Sequence, residues 1–202
     1  MIFNTDNRSD FDKFYVKEID RLALSGEDFS VDNSNPLHAL YLMNKLFLIA
    51  KKRIRLFSDH LIPVIKEGEY DELDKDLRLY SHPKLIRNMT DFLRQDGAQL
   101  DIIVEKKIDA ENPFMVALKE FAKSKDMKGN YSFRQINEKN KVQLESGFNN
   151  HFLICDDKAY RVEKSHEPKC FKAFANFGDK RVHDKLTGFF DFYLTELSTS
   201  AI

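Results

Sequence analysis

The stretch Asn149 to Arg161, Asn-Asn-His-Phe-Leu-Ile-Cys-Asp-Asp-Lys-Ala-Tyr-Arg, limits the possible folds of this chain more than any other. The apolar run Phe152, Leu153, Ile154 and Cys155 has the length and character of a buried strand. Asp156 and Asp157 supply a turn, and a second strand follows towards Glu163. A strand buried in this way needs neighbours at both edges and cover on both faces. Asn149, Asn150 and His151 stand at its mouth, where a buried sheet presents polar groups to ligands.

Upstream, helical and extended patterns alternate. Phe11, Phe14, Val16, Ile19 and Leu22 recur at helical spacing from Ser9 to Leu24, and Ser25-Gly26 ends that helix. Residues 27–34 read as a polar loop. Asn35-Pro36 caps and opens a helix to about Lys51 that is apolar on nearly every side, so it is buried by another layer of this chain or by another subunit. Arg53 to Phe57 alternates as a strand does and runs into Ser58-Asp59-His60. The acidic run Glu67 to Asp76 reads as a solvated loop or short helix. Ser81-His82-Pro83 starts a helix with Leu85, Ile86, Met89, Phe92 and Leu93 on one stripe, stopped at Asp96-Gly97. Leu100 to Val104 is a strand, and Asn112-Pro113 opens a helix to about Lys125. A strand follows at Tyr131 to Ile136. After the hairpin and a loop containing Pro168 comes an amphipathic helix, with Val182, Leu186, Phe189, Phe190, Tyr193, Leu194 and Leu197 on one face.

This alternation predicts an α/β domain with a mixed sheet flanked by helices on both faces. Residues 1–34 form an N-terminal helical extension and loop, and residues 35–202 form the domain. The chain has 202 residues, enough for one full core, and its 18 Phe residues need such a core to cover them. A formal net charge of −1 excludes a strong global field for nucleic acid or membrane, so any anionic partner must be held by a local patch. Cys155 and Cys170 lack metal-ligand spacing, and with no secretory leader pattern they suggest a reducing cytoplasm. The longest apolar run, Ala39 to Ala50, falls short of the roughly 18–20 residues of a membrane span.

Asn149, His151 and Asp156 keep the spacing of a His, a Lys two residues on and an Asp five residues later. The hairpin thus resembles the signature of the phospholipase D superfamily, with Asn149 in the His place and His151 in the Lys place. The order of elements from Leu37 to Leu197 is similar to one half of that fold. Ala175-Asn176-Phe177-Gly178-Asp179, followed by Phe189-Phe190-Asp191, is similar to its closing segment. The resemblance implies a phospholipase D-like sheet, a homodimer with one site at its two-fold axis, no cofactor, and metal-free attack on phosphorus by the family's His.

The attacking group is the one this chain replaces. An Asn carboxamide donates hydrogen bonds to phosphate but has no basic lone pair with which to attack. His151, with an ordinary pKa of about 6.5, takes over part of the lysine's role only when an anion keeps it charged. Each candidate also has a plainer reading. Asn149 and Asn150 end a polar loop, His151 is a polar residue tied to a backbone carbonyl, Asp156 and Asp157 are turn residues, and His60 is a surface histidine. His60 is a candidate because it follows the first strand, and strand ends in such sheets line ligand crevices. Lys164, Ser165, His166, Lys169 and Lys172 form either an exposed loop or a patch for a nucleic-acid backbone.

No Gly-rich phosphate loop, zinc-binding His pair or nucleophile elbow occurs. The expectation is a catalytically inactive phospholipase D-like binding or interaction module. Its ligand site comprises Asn149, His151, Asp156, His60, Lys164 and Ser165, its partners are nucleic acid and a second copy, and it involves no metal and no membrane. A place as a protein-bound subunit of a bacterial defence-type assembly follows by analogy alone. The alternative is a metal-independent phosphodiesterase or nuclease with His151 or His60 as nucleophile.

Overall fold

A computed structural model describes residues 10–33, 36–58, 61, 79–136, 151–164 and 172–199. Helices α1 (Asp10–Ser25), α2 (Pro36–Ile49), α3 (Pro83–Leu93), α4 (Pro113–Phe121) and α5 (Lys180–Phe192) surround one sheet. Its strands are β1 (Val31–Asn33), β2 (Arg53–Ser58), β3 (Gln99–Val104), β4 (Asn130–Ile136), β5 (Phe152–Cys155), β6 (Ala159–Glu163), β7 (Ala173–Asn176) and β8 (Ser198–Thr199). They lie in the order β1-β7-β6-β5-β2-β3-β4-β8. The pairs β2–β3 and β3–β4 are parallel, with α3 and α4 as crossovers, and the remaining pairs are antiparallel. The mixed α/β sheet expected from the sequence is therefore present.

The helix starts follow from local chemistry. His82 Nδ1 accepts from Lys84 N–H at 3.2 Å, and Asn112 Oδ1 accepts from Met115 N–H at 3.1 Å, each just before a proline whose fixed φ suits the first turn. Asp179 Oδ1 does the same for α5, accepting from Val182 N–H at 3.1 Å. At the other end of α1, Gly26 takes φ +64° and returns its N–H to Leu22 O.

Strand alternation divides the core between two faces. Ile54, Leu56, Leu100, Ile102, Leu153 and Cys155 face α1 to α4, whereas Phe57, Ile103, Phe152, Ile154, Tyr160 and Val162 face α5. The apolar α2 is covered by this chain itself: α1 and α3 flank it, with Ile19 and Leu22 on one side and Leu85, Met89 and Phe92 on the other sharing its cluster. Buried Asn44 is satisfied there, donating to Leu40 O and accepting from Asn88 Nδ2.

Several boundaries differ from the sequence reading. Val31 to Asn33, read as loop, pairs with β7 as an edge strand, and α1 contributes Tyr15, Ile19 and Leu22 to the main core. β7 is likewise absent from that reading, because four residues with Asn at their end give almost no periodicity. α4 stops at Phe121, where bonds such as Lys123 N–H to Glu120 O tighten the chain into turns. The closing helix ends at Phe192 and passes through a π-helical turn, Tyr193–Leu197, into β8 beside β4. The acidic run Glu67 to Asp76 lies outside the described residues.

Candidate functional site

The register brings one end of every central strand together. Phe57 pairs with Phe152 and with Ile103, and Phe152 pairs with Val162. His151, just before β5, therefore stands among the carboxyl ends of β2, β3 and β6, the edge at which open α/β sheets carry ligand sites. Glu105 follows β3, with its N–H bonded to Ser58 O at 3.0 Å. Glu163 closes β6, with its N–H bonded to His151 O at 2.9 Å.

Both ring nitrogens of His151 face carboxylates. Nδ1 is 3.2 Å from Glu163 Oε2 and Nε2 is 3.5 Å from Glu105 Oε2, the ring lying 6.0 Å from that of Phe57. Burial opposes charge on the imidazole. The hydrogen bonds to Glu105 and Glu163 and the charge of both acids outweigh it, and the pKa is pushed up to about 9. At neutral pH the ring is an imidazolium, donating from both nitrogens.

The second oxygen of Glu163 accepts from Arg161 Nη1 at 3.1 Å, and Arg161 Nε reaches Asn33 Oδ1 of β1 at 3.1 Å. Burial alone would raise the Glu163 carboxyl. Its bond to His151 and the positive charge of Arg161 reverse this and hold it down at about 2. Tyr80 lies beside Ser58 under the same group, its phenol pushed up to about 12 by burial and then by the charge of Glu163. Two acids and two cations thus form a closed internal network. Sequence reasoning missed Glu105, Glu163 and Arg161; their signal was only an acid after a strand and the alternation Arg-Val-Glu.

Asp156 does not join His151, and its expected ligand role is corrected here. It lies beyond the far end of β5, about 15 Å of strand away. With φ +50°, it turns its carboxylate onto the N–H groups of Lys51, Lys52 and Arg53 at 2.9, 2.9 and 3.0 Å, fastening the α2–β2 junction. Lys164 is at the site end, 2.5 Å from Asp32 Oδ1 and over the Phe174 ring. Its N–H bonds to Lys172 O at 2.7 Å. Lys106 and Lys107, exposed, follow Glu105 at the same rim. Asn149, His60 and Ser165 lie outside the described residues, as do His166 and Lys169. Among the described residues no group of His, Cys, Asp and Glu is arranged to hold a metal ion, and no helix is long and apolar enough to cross a membrane.

Sheet and site define an α/β protein whose polar centre sits where parallel and antiparallel strands meet. Nuc from Salmonella typhimurium, a phospholipase D family member, superposes with a TM-score of 0.56 over 87% of this chain and 99% of its own, at 10% identity. TrmBL2, an archaeal chromatin protein with a novel mode of DNA binding, superposes with a TM-score of 0.51 over 94% of this chain and 62% of its own, at 15% identity. The chain has the phospholipase D-like fold. No protein-family model and no curated protein matches its sequence.

Proposed function

We propose that this chain is a non-catalytic phospholipase D-like module that binds the sugar–phosphate backbone of nucleic acid, as a homodimer. The observation that carries the loss of catalysis is the clamp on His151. An imidazolium with both nitrogens donating to carboxylates has no lone pair with which to attack phosphorus. Asn149, in the place of the family's attacking His, has none either.

Phosphate would also meet Glu105 and Glu163 at the centre, and like charge disfavours it there. The rim is different. Lys106, Lys107, Lys164 and Lys172 are exposed around the same strand ends. Rim lysines supply a sequence-independent, salt-sensitive contact to a phosphate backbone. That TrmBL2, an archaeal chromatin protein of similar structure, binds DNA supports the same reading.

Filter binding of single- and double-stranded DNA and RNA, across a salt series and with products resolved on a gel, tests both halves. Retention that weakens steeply with salt, without cleavage, is the expected result. No retention of any of them removes the nucleic-acid reading. Metal-independent cleavage lost in His151→Ala or His60→Ala would establish the phosphodiesterase instead.

A further inference from the structure

One edge of the sheet is left open. β4 has seven residues, and β8 pairs only with its last two, Gln135 and Ile136. Asn130 N–H bonds to Ala98 O, so the even-numbered residues of β4 turn their backbone groups to β3 and the odd-numbered ones turn outwards. Among the described residues none pairs with the outward N–H and C=O groups of Tyr131 and Phe133. Natural edge strands are kept short, or carry proline or exposed charge. The opposite edge follows that rule: β1 has three residues, and its Asp32 side chain is 73% exposed. Asn130 to Phe133 contains neither proline nor charge.

Side chains alternate along this stretch. Phe133 is buried on the α1–α4 face, and Tyr131 packs against the same cluster. Ser132 lies on the α5 face, its hydroxyl donating to Asp101 Oδ1 at 2.6 Å, and Asn130 and Arg134 share that face. Arg134 Nε is buried without a hydrogen-bond partner, although buried donors are normally paired. The open edge thus lacks backbone partners on Tyr131 and Phe133 and a side-chain acceptor at Arg134.

We infer that this edge of β4 pairs antiparallel with the same edge of a second copy, about a two-fold axis at Ser132. Only one antiparallel register uses both outward residues of each copy. It sets Ser132 opposite Ser132 of the second copy, Tyr131 opposite Phe133, and Asn130 opposite Arg134. Each Tyr131–Phe133 pair then exchanges both of its backbone bonds and joins two aromatic rings across the strands. On the other face, the Asn130 carboxamide offers its oxygen to the guanidinium of Arg134, and no like charges stand opposite. This self-complementarity selects a second copy over an unrelated extended peptide. The window closes at both ends. Thr199 holds Gln135, and Gly129 turns the chain towards α3, its N–H bonding to Leu93 O. The inference rests on the homodimer reading above and on no nucleic-acid contact. Its consequence is that the two site ends point to opposite edges of one continuous sheet, so each copy keeps its own His151 centre and lysine rim.

Sedimentation equilibrium of the full chain, joined to cysteine cross-linking, tests this interface. Wild type should have twice the chain mass. Tyr131→Pro removes an outward N–H and leaves the bonds to β3, so it should fall to a single chain mass with an unchanged circular dichroism spectrum. On a Cys170→Ser background, Ser132→Cys should form a disulfide-linked dimer in air. Asn130→Cys should not, because the register keeps the two copies of position 130 about 14 Å apart. If Tyr131→Pro fails to fold, the two cysteine variants decide. A wild-type dimer that survives in folded Tyr131→Pro, or that gives no disulfide in Ser132→Cys, would leave the homodimer standing and overturn the β4 interface. A monomeric wild type would overturn both and leave the edge to a peptide of another protein.

Discussion

His151 and Glu163 face each other across the open end of the β5–β6 hairpin and are joined twice, by Nδ1 to Oε2 at 3.2 Å and by Glu163 N–H to His151 O at 2.9 Å. The backbone bond fixes the register, and the side-chain bond fixes the charge state of the imidazole. The consequence is a phospholipase D-like sheet whose central imidazole is held by the protein's own acids.

Removing the cation should cost stability. In His151→Ala, Glu105 and Glu163 lose their shared counter-charge while their side chains remain only 12% and 29% exposed. We expect a loss of about 2–3 kcal/mol in urea denaturation, below the full cost of breaking a buried pair because Glu163 is partly solvated. His151→Lys, which restores a cation, should recover part of it.

The clamp makes stability depend on pH. His151 has a folded pKa of about 9, above its unfolded value near 6.5, so its contribution is complete below about pH 6.5 and is lost as pH rises through 9. Glu163, held at about 2, contributes above about pH 4.5 and loses that contribution as pH falls through 2. Denaturation midpoints should therefore decline between pH 6.5 and 9, by on the order of 2–3 kcal/mol, and His151→Ala should flatten that limb.

Asp156 should matter for folding and not for ligand. Asp156→Ala deprives the N–H groups of Lys51, Lys52 and Arg53 of their acceptor and places Ala at a positive φ. We expect a loss of about 2–4 kcal/mol, with Asp156→Asn milder because Asn tolerates the left-handed region and keeps one carbonyl. Nucleic-acid affinity of the folded fraction should not change.

Gly178 joins the first elements to the rest. A Cβ there would come within 2.4 Å of Gly26 O and 2.6 Å of Asp28 N, both backbone atoms that cannot swing aside. Gly178→Ala should lower the thermal midpoint by several degrees and expose the α1–β1 connection to limited proteolysis.

The rim lysines should set the salt dependence. Replacing Lys106, Lys107, Lys164 or Lys172 by Ala should each reduce the slope of log affinity against log salt by about one where the residue contacts a phosphate of duplex DNA. Slopes identical to wild type in all four would place nucleic acid elsewhere.

The sequence made the helix starts at His82-Pro83 and Asn112-Pro113 and the three parallel strands readable, because caps and apolar runs are local signals. β1, β7 and β8 were not readable. They have three, four and two residues, and each is a strand only because a neighbour offers a ladder. The site was half legible. His151 stood out through its spacing in the signature, whereas Glu105, Glu163 and Arg161 reach it by register between strands far apart in sequence. Asp156 had the right spacing and the wrong end of the strand, since five residues along a strand lead away from a site and not around it.

The most direct measurement is the titration of the His151 ring by nuclear magnetic resonance, assigned by its loss in His151→Ala. We expect both ring nitrogens to carry protons at neutral pH and to titrate near pH 9. A ring that titrates near the ordinary value of about 6.5, or that is neutral at pH 7, would contradict the clamp and return a basic imidazole to the centre of the site.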